Sequence, residues 1–235
     1  MDNIEELRNK RESGWIGQIS PKLDVIYDIL LRVFVIVCLS AILVLVGISY
    51  PREERLSCAP DCSRLDFSSK DMRGNSLRGV NFTLSTFQGT DLSQTDLTFA
   101  RLVQANLRSV NLAGADMSNA VLSWADLRSA DLEGANLRGA DLRGADLRGA
   151  NLSETDLRGA NLSDAQMKLA VLSGATLMDT RFNNSDMRRV NLQNVAATRA
   201  DFRYADLRMA TFEDGVFTSA DFHGALLSQG VSIPN

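Results

Sequence analysis

The sequence predicts an all-β solenoid of about eight coils, preceded by one transmembrane α-helix. Two observations predict it: an apolar residue recurs at every fifth position from Phe67 to Leu227, and the 18 residues 33–50 carry no charge. The chain has 235 residues, of which 45% are hydrophobic but only 6% are aromatic. Leu and Ala must therefore fill a thin, repetitive core rather than the mixed core of a globular domain.

The period of five explains the predicted architecture, because it fits neither regular element. On a helix, five residues advance about 500°, so the apolar position would drift around the axis and define no face. On a flat strand, an odd period would send successive apolar residues to opposite faces. The apolar residues, called centres below, share one interior only if the backbone turns once in every repeat and coils around its own apolar axis.

The residues around each centre follow a pattern of their own. The 33 centres are Leu, Phe or Met except for Ala197, and 19 of the residues two positions before a centre are Ala. Those residues lie on the same side of an extended segment as the centre, so they share the interior. Lys70 and Asn75 also occupy this position, which predicts an irregular first coil over residues 63–78. Asp or Asn directly precedes 21 of the centres, as expected where a chain turns.

The resulting arrangement, A-(D/N)-L-x-x, resembles the pentapeptide-repeat family. The resemblance implies a right-handed quadrilateral β-helix in which four repeats complete one coil. The family includes topoisomerase-protecting proteins that mimic DNA, but residues 63–235 carry 20 acids against 18 Lys and Arg, which does not predict a dense acidic face. The DNA mimic is therefore the second interpretation. The predicted division of the chain is a polar tail over 1–28, the helix over 29–50, a linker over 51–62, the repeats over 63–228 and a C-terminal tail over 229–235.

Residues 29–50 are predicted to anchor the chain in a membrane. About 20 apolar residues cross the ~30 Å core of a bilayer, with Arg32 reaching one interface and Tyr50 lying at the other. A buried helix of a soluble domain and a cleaved signal sequence are the alternatives, but no matching globular core and no A-x-A site follow. The basic residues on the two sides are balanced, which leaves the orientation open.

The location of the repeats depends on the two cysteines after the anchor. A single-pass protein of a bacterial inner membrane is expected, with a lean towards repeats on the non-cytoplasmic side. Cys58 and Cys62 favour that side if they form a disulfide, since disulfides persist in oxidising compartments. Two ordinary linker thiols are the equally weighted alternative.

If four repeats complete one coil, residues twenty positions apart stack above one another. One such column, called the basic ladder below, holds Arg108, Arg128, Arg148, Lys168, Arg188 and Arg208. It is a candidate surface for an anionic partner such as lipid headgroups, an acidic protein or a polyanion. The alternative is a solvated face, because acids two residues earlier neutralise part of its charge. Trp124 is predicted to point outward over Gly144, near Arg128, as a further candidate contact with a partner.

No catalytic constellation accompanies the repeats. The single histidine, His223, has no nucleophile at motif spacing, and the glycines of GADLRGADLRG follow the five-residue period rather than a phosphate-binding loop. No Cys and His cluster has metal-binding spacing. The sequence therefore predicts a scaffold that is not an enzyme, needs no cofactor or metal and binds no nucleic acid. Leu226 and Leu227 could also pair the C-terminal end of the rod with a second copy.

Overall fold

Each repeat contributes one bridging residue to a stack of coils. The computed structural model describes residues 56–230 and Ile233, which are the basis of every structural statement below. Parallel β-bridges join each bridging residue to the residue twenty positions later, from Asp61 with Asn81 to Asp206 with Leu226. Four repeats therefore complete one coil, as predicted. The bridges are single-residue contacts, and residues 56–230 contain no longer strand and no helix.

The chain turns at the two residues that follow each centre. The second of these has a positive φ in every repeat from Arg64 to Gly224, for example 61° at Trp124 and 66° at Gly144. A positive φ at this position is that of a type II turn, which favours Gly. The turn is closed by an amide, as when Ala125 N donates to Leu122 O at 3.0 Å. This geometry explains why Gly recurs two residues after the centre.

Three further backbone hydrogen bonds in each repeat of the inner coils join neighbouring coils. In the repeat of Leu142, the Leu142 amide donates to Asn161 O at 2.8 Å and the Gly144 amide donates to Ser163 O at 3.0 Å. The Asp141 amide donates in the other direction, to Ala120 O at 2.9 Å. The backbone of one coil thereby satisfies the backbone of the next, and the outward side chains are held at fixed spacing.

The centres converge on one apolar axis. The four successive centres of one coil, Leu132, Leu137, Leu142 and Leu147, are all 0% exposed. The rings of Phe182 and Phe202 stack at 5.0 Å, and those of Phe202 and Phe222 stack at 4.8 Å, in line with the spacing of stacked strands. This Phe column points inward, with Phe182 and Phe202 fully buried and Phe222 packed against the core.

Hydroxyls replace Ala at several interior positions without leaving a polar group unpaired. Thr180 Oγ1 donates to Leu157 O at 2.7 Å, and Ser85 Oγ donates to Cys62 O at 2.8 Å. Throughout the described residues, every buried side-chain nitrogen or oxygen has a hydrogen-bond partner. Small hydroxyl residues therefore fit the same space as Ala because their one donor reaches a carbonyl.

The exception at Ala197 is accompanied by a second one in the next coil. Ala197 is fully buried, and the centre twenty residues later is the large Phe217. Gly215 stands two residues before Phe217, and a Cβ there would lie 2.6 Å from the Phe217 ring. The small side chains of Ala197 and Gly215 thus leave space that the larger Phe217 ring fills. The Phe217 ring also contacts the Phe212 ring, with 5.6 Å between the centroids.

The first coil is regular, contrary to the irregular coil predicted over residues 63–78. Bridges and turns keep the same period from Asp61 onward, and the buried Cys62 takes the position of a centre. Lys70 is exposed, with its Nζ 5.3 Å from the centroid of the Phe67 ring. No coil precedes it within the described residues, so an interior position here remains open to solvent. The structure joins Cys58 to Cys62 in a disulfide.

The predicted anchor over 29–50 lies outside the described residues, as do the tail over 1–28 and the linker up to residue 55. Within residues 56–230 and at Ile233, no helix is long and apolar enough to cross a membrane.

Candidate partner-binding surface

The basic ladder is assembled as one column on the rod. Each of its six cations follows a bridging residue by two positions, and those bridging residues pair in sequence from Asn106 through Asp126, Asp146, Gln166 and Asp186 to Asp206. The bridges therefore place the six cations in neighbouring coils on one face.

Most of the ladder is paired with acids of its own repeat. Arg148 Nη2 lies 2.6 Å from Asp146 Oδ2, and the same contact occurs between Arg208 and Asp206 at 2.6 Å. Asp and Arg meet because the centre between them points inward, so both neighbours point outward. The Asp carboxylate also accepts a hydrogen bond from the backbone amide of the Arg, as when Arg148 N donates to Asp146 Oδ1 at 3.2 Å. The guanidinium of Arg208 holds the pKa of Asp206 below its ordinary value.

The C-terminal half of the ladder has a surplus of positive charge. Lys168 follows Gln166 instead of an acid, and neither Lys168 nor its neighbour on the face, Arg189, forms an ion pair with an acid among the described residues. A depression of about 410 Å³, called the cationic groove below, opens at this point. Its lining consists of Lys168, Arg188, Arg189, Arg208, Met209 and Ser228.

Trp124 is outward, as the turn geometry requires, and its side chain is 64% exposed. Its ring lies against Gly144 of the next coil, where a Cβ would be only 2.5 Å from Trp124 Cε3. Tyr204 has the same relation to Gly224, with 2.5 Å between the corresponding Cβ and Tyr204 Cδ1. The Trp124 ring therefore has an internal contact as well as an exposed face.

A second charged surface was not predicted from the sequence, because the net charge was summed over all residues from 63 to 235. One face, which begins one repeat after each repeat of the basic ladder, holds seven carboxylates and a single guanidinium and is called the acidic face below. Grouping residues by the twenty-residue coil would have found it. Its charged residues are Asp71, Arg73, Asp91, Asp131, Glu133, Glu154, Glu213 and Asp214.

Acid titration of one paired carboxylate gives a testable stability change. The Arg203 side chain hydrogen-bonds to Asp201 and lowers the pKa of Asp201 to about 2. Because the pKa of Asp201 is lower in the folded than in the unfolded chain, where it is near 3.9, the pair stabilises the fold at pH values above about 4. This contribution is lost as the pH falls towards 2. Arg203 is 47% exposed, so solvent screens the pair and we expect about 1 kcal/mol.

The measurement compares urea unfolding of the chain and of Asp201→Asn from pH 5 down to 2. The variant should lose less stability on acidification than the parent chain, by about 1 kcal/mol. Parallel pH profiles would contradict a stabilising role for this pair.

The described residues hold no group of three or more His, Cys, Asp or Glu side chains that could bind a metal ion. His223 lies beside Tyr204, with ring centroids 5.7 Å apart, on the exposed surface of the last coil. No catalytic role follows from that contact.

Several solved structures are similar to the chain, and HetL and Rfr23 among them are pentapeptide-repeat proteins. HetL, involved in heterocyst differentiation regulation in the cyanobacterium Nostoc, is 24% identical, with 73% of this chain and 93% of HetL covered and a TM-score of 0.35. Rfr23 from the cyanobacterium Cyanothece is 28% identical over 50% of this chain and 95% of its own, with a TM-score of 0.49. QnrB1, a plasmid-mediated fluoroquinolone resistance protein, is 22% identical over 72% and 92%, with a TM-score of 0.33.

No curated protein sequence matches the chain. The sequence pattern described as pentapeptide repeats matches in eight copies, over residues 61–98, 85–123, 125–164, 135–174, 155–194 and 198–229. These matches span nearly all of the described coils and more than half of the chain. The chain therefore belongs to the pentapeptide-repeat family.

Proposed function

We propose that the chain is a non-catalytic, membrane-anchored scaffold whose repeats present rigid faces to a protein or anionic partner. The observation that carries this proposal is the hydrogen-bonded stack, which fixes outward side chains of distant repeats in neighbouring positions. Such a surface suits recognition, because its side chains are ordered before a partner binds. The basic ladder and Trp124 are the proposed contacts, and no cofactor is needed.

The anchor is proposed to be residues 29–50, which place the chain in a bacterial inner membrane as a single-pass protein. The uncharged run over 33–50 has the length and composition of a membrane-spanning helix. The disulfide between Cys58 and Cys62 favours repeats on the non-cytoplasmic side, since that compartment is oxidising. Alkaline phosphatase fused after Asn235 should be active, and green fluorescent protein fused there through the general secretion route should be dark. The reverse pair of results would place the repeats in the cytoplasm.

Partner binding is tested by capture of crosslinked proteins from membranes that contain the full chain. Replacing Trp124 with Ala together with Arg128→Gln should remove at least one captured protein. The matched control is Phe99→Ala with Arg158→Gln, which removes an exposed aromatic ring and a paired cation from a face that carries neither the basic ladder nor Trp124. Equal capture by both double variants would reject the surface around Trp124.

A topoisomerase-protecting DNA mimic is the second candidate, and the acidic face is the observation that favours it. Seven carboxylates on one face resemble the charge of a DNA backbone more closely than the near-neutral domain total suggests. The assay is DNA supercoiling by gyrase with increasing amounts of the chain. Inhibition that disappears in Asp131→Asn with Glu133→Gln would favour mimicry over the scaffold.

Self-association through the C-terminal end of the rod is a further proposal. Leu226 is 52% exposed, and Leu227 is half-buried in the last described coil. Analytical ultracentrifugation in detergent should then show a dimer that Leu226→Glu dissociates.

A further inference from the structure

The C-terminal half of the basic ladder carries one more cation on its face than the N-terminal half. In the N-terminal half, Arg108 follows Asn106, whereas Arg128 and Arg148 pair with Asp126 and Asp146. In the C-terminal half, the bridging residue before Lys168 is Gln166, and Arg189 adds a cation beside the ladder. The four cations of the cationic groove therefore meet only two acids on their own face, Asp186 and Asp206.

Large apolar side chains surround the cationic groove. Leu169 is 53% exposed, Met209 is 60% exposed and Leu226 is 52% exposed. Leu169 and Met209 directly follow ladder cations in the chain, and Leu226 bridges to Asp206 on the same face. In the N-terminal half, the residues that follow the ladder cations are Ser109, Ser129 and Gly149. The residues that directly follow the ladder cations are therefore apolar or basic only in the C-terminal half of the ladder.

We infer that this surface, the cationic groove with Leu169 and Leu226, docks the repeats against the anionic phospholipid headgroups of the bilayer. The inference rests on the membrane anchoring proposed above and states which face of the repeats meets the lipid. Lys168 and Arg189 donate to phosphate oxygens, while Leu169, Met209 and Leu226 enter the boundary between headgroups and acyl chains. Cations beside exposed apolar side chains are the composition of surfaces that bind anionic membranes.

Ser228 supplies a further donor in the cationic groove. Its Oγ accepts the Met209 amide at 2.8 Å, which leaves the hydroxyl hydrogen free to donate to a phosphate oxygen. An acidic protein would also pair with the cations, but it would leave the three exposed apolar side chains without a role. The observations therefore favour a lipid surface over an acidic protein.

The test uses the full chain with Cys38→Ser, so that one added cysteine can carry a bimane fluorophore. The probe site is Gln229→Cys, next to the cationic groove, and the control site is Ser219→Cys on the opposite face of the rod. Nanodiscs contain phosphatidylcholine alone or with phosphatidylglycerol, and a small share of lipid carries a headgroup nitroxide that quenches nearby fluorophores. Docking predicts stronger quenching at 229 in anionic nanodiscs, and no such gain at 219.

Charge removal makes the test specific to the cationic groove. Lys168→Gln with Arg189→Gln should lower the ratio of docked to undocked chain in anionic nanodiscs roughly 30-fold, at about 1 kcal/mol for each cation. The matched control, Arg101→Gln with Arg181→Gln, removes the same charge from another face and should leave the ratio unchanged. An equal decrease of the docked fraction in both variants would show that only the net charge of the chain matters, and it would overturn the inference.

The anchoring proposal and the docking inference fail in different ways. Chain that enters neutral nanodiscs but shows equal quenching at 229 in both lipids overturns docking and leaves anchoring intact. An acidic protein as the true partner would give this same result. Chain that binds only anionic nanodiscs supports docking and contradicts the anchor, whereas chain that binds neither overturns both.

Discussion

Leu142→Ala is expected to lower the free energy of unfolding by about 3 kcal/mol. Leu142 is fully buried, and the centres of the adjacent coils in its column, Leu122 and Leu162, are equally buried. Truncation leaves a cavity that the rod cannot close, because inter-coil hydrogen bonds hold the backbone on both sides of residue 142. Chemical unfolding followed by circular dichroism measures the change.

Leu142→Met is the matched control for this prediction. Four repeats already have Met as the centre, so the interior accepts its volume, and the expected cost is below about 1.5 kcal/mol. If the Ala and Met variants were equally stable, the centres would not be packed as the coil geometry requires. The central claim of the fold would then be wrong.

The fold could be predicted because one physical constraint repeats along the chain. A period of five forces a turn in each repeat, and the inward direction of Leu142 and Ala145 follows from that turn alone. The same reasoning overstated the irregularity of the first coil. It took the inward register of Lys70 as a sign of an irregular coil, although a regular coil at the end of a stack leaves an interior position open to solvent. Periodicity gives direction, whereas burial also depends on a neighbouring coil.

The candidate surface could be predicted only in part, because charge balance is a property of contacts. Sequence stacking identified the ladder and anticipated its acids. It could not show that Lys168 and Arg189 lack an acidic partner among the described residues while Arg188 and Arg208 have one. The acidic face was hidden for a different reason, since opposite charges on other faces cancel it in the total. The acidic face becomes visible when charged residues are grouped by their position in the coil. The missing partners of Lys168 and Arg189 become visible only when distances between charged groups are measured.

Gly144→Ala is expected to lower the free energy of unfolding by about 2 kcal/mol, from two separable causes. The φ of Gly144 is +66°, which strains any residue with a Cβ. The added Cβ would also lie 2.5 Å from Trp124 Cε3, so the Trp124 ring must move away from the backbone of residue 144. Gly134→Ala isolates the first cause, because its φ is +64° and nothing lies within 4 Å of the added atom.

The difference between the two Gly variants therefore measures how firmly the Trp124 ring is held by its own protein. We expect Gly144→Ala to cost about 1 kcal/mol more than Gly134→Ala, and the excess should vanish when Trp124 is already Ala. In a Trp15→Phe background, the emission of Trp124 should shift to longer wavelength as the ring enters solvent. Equal costs for the two variants would mean that the ring contributes nothing to the stack.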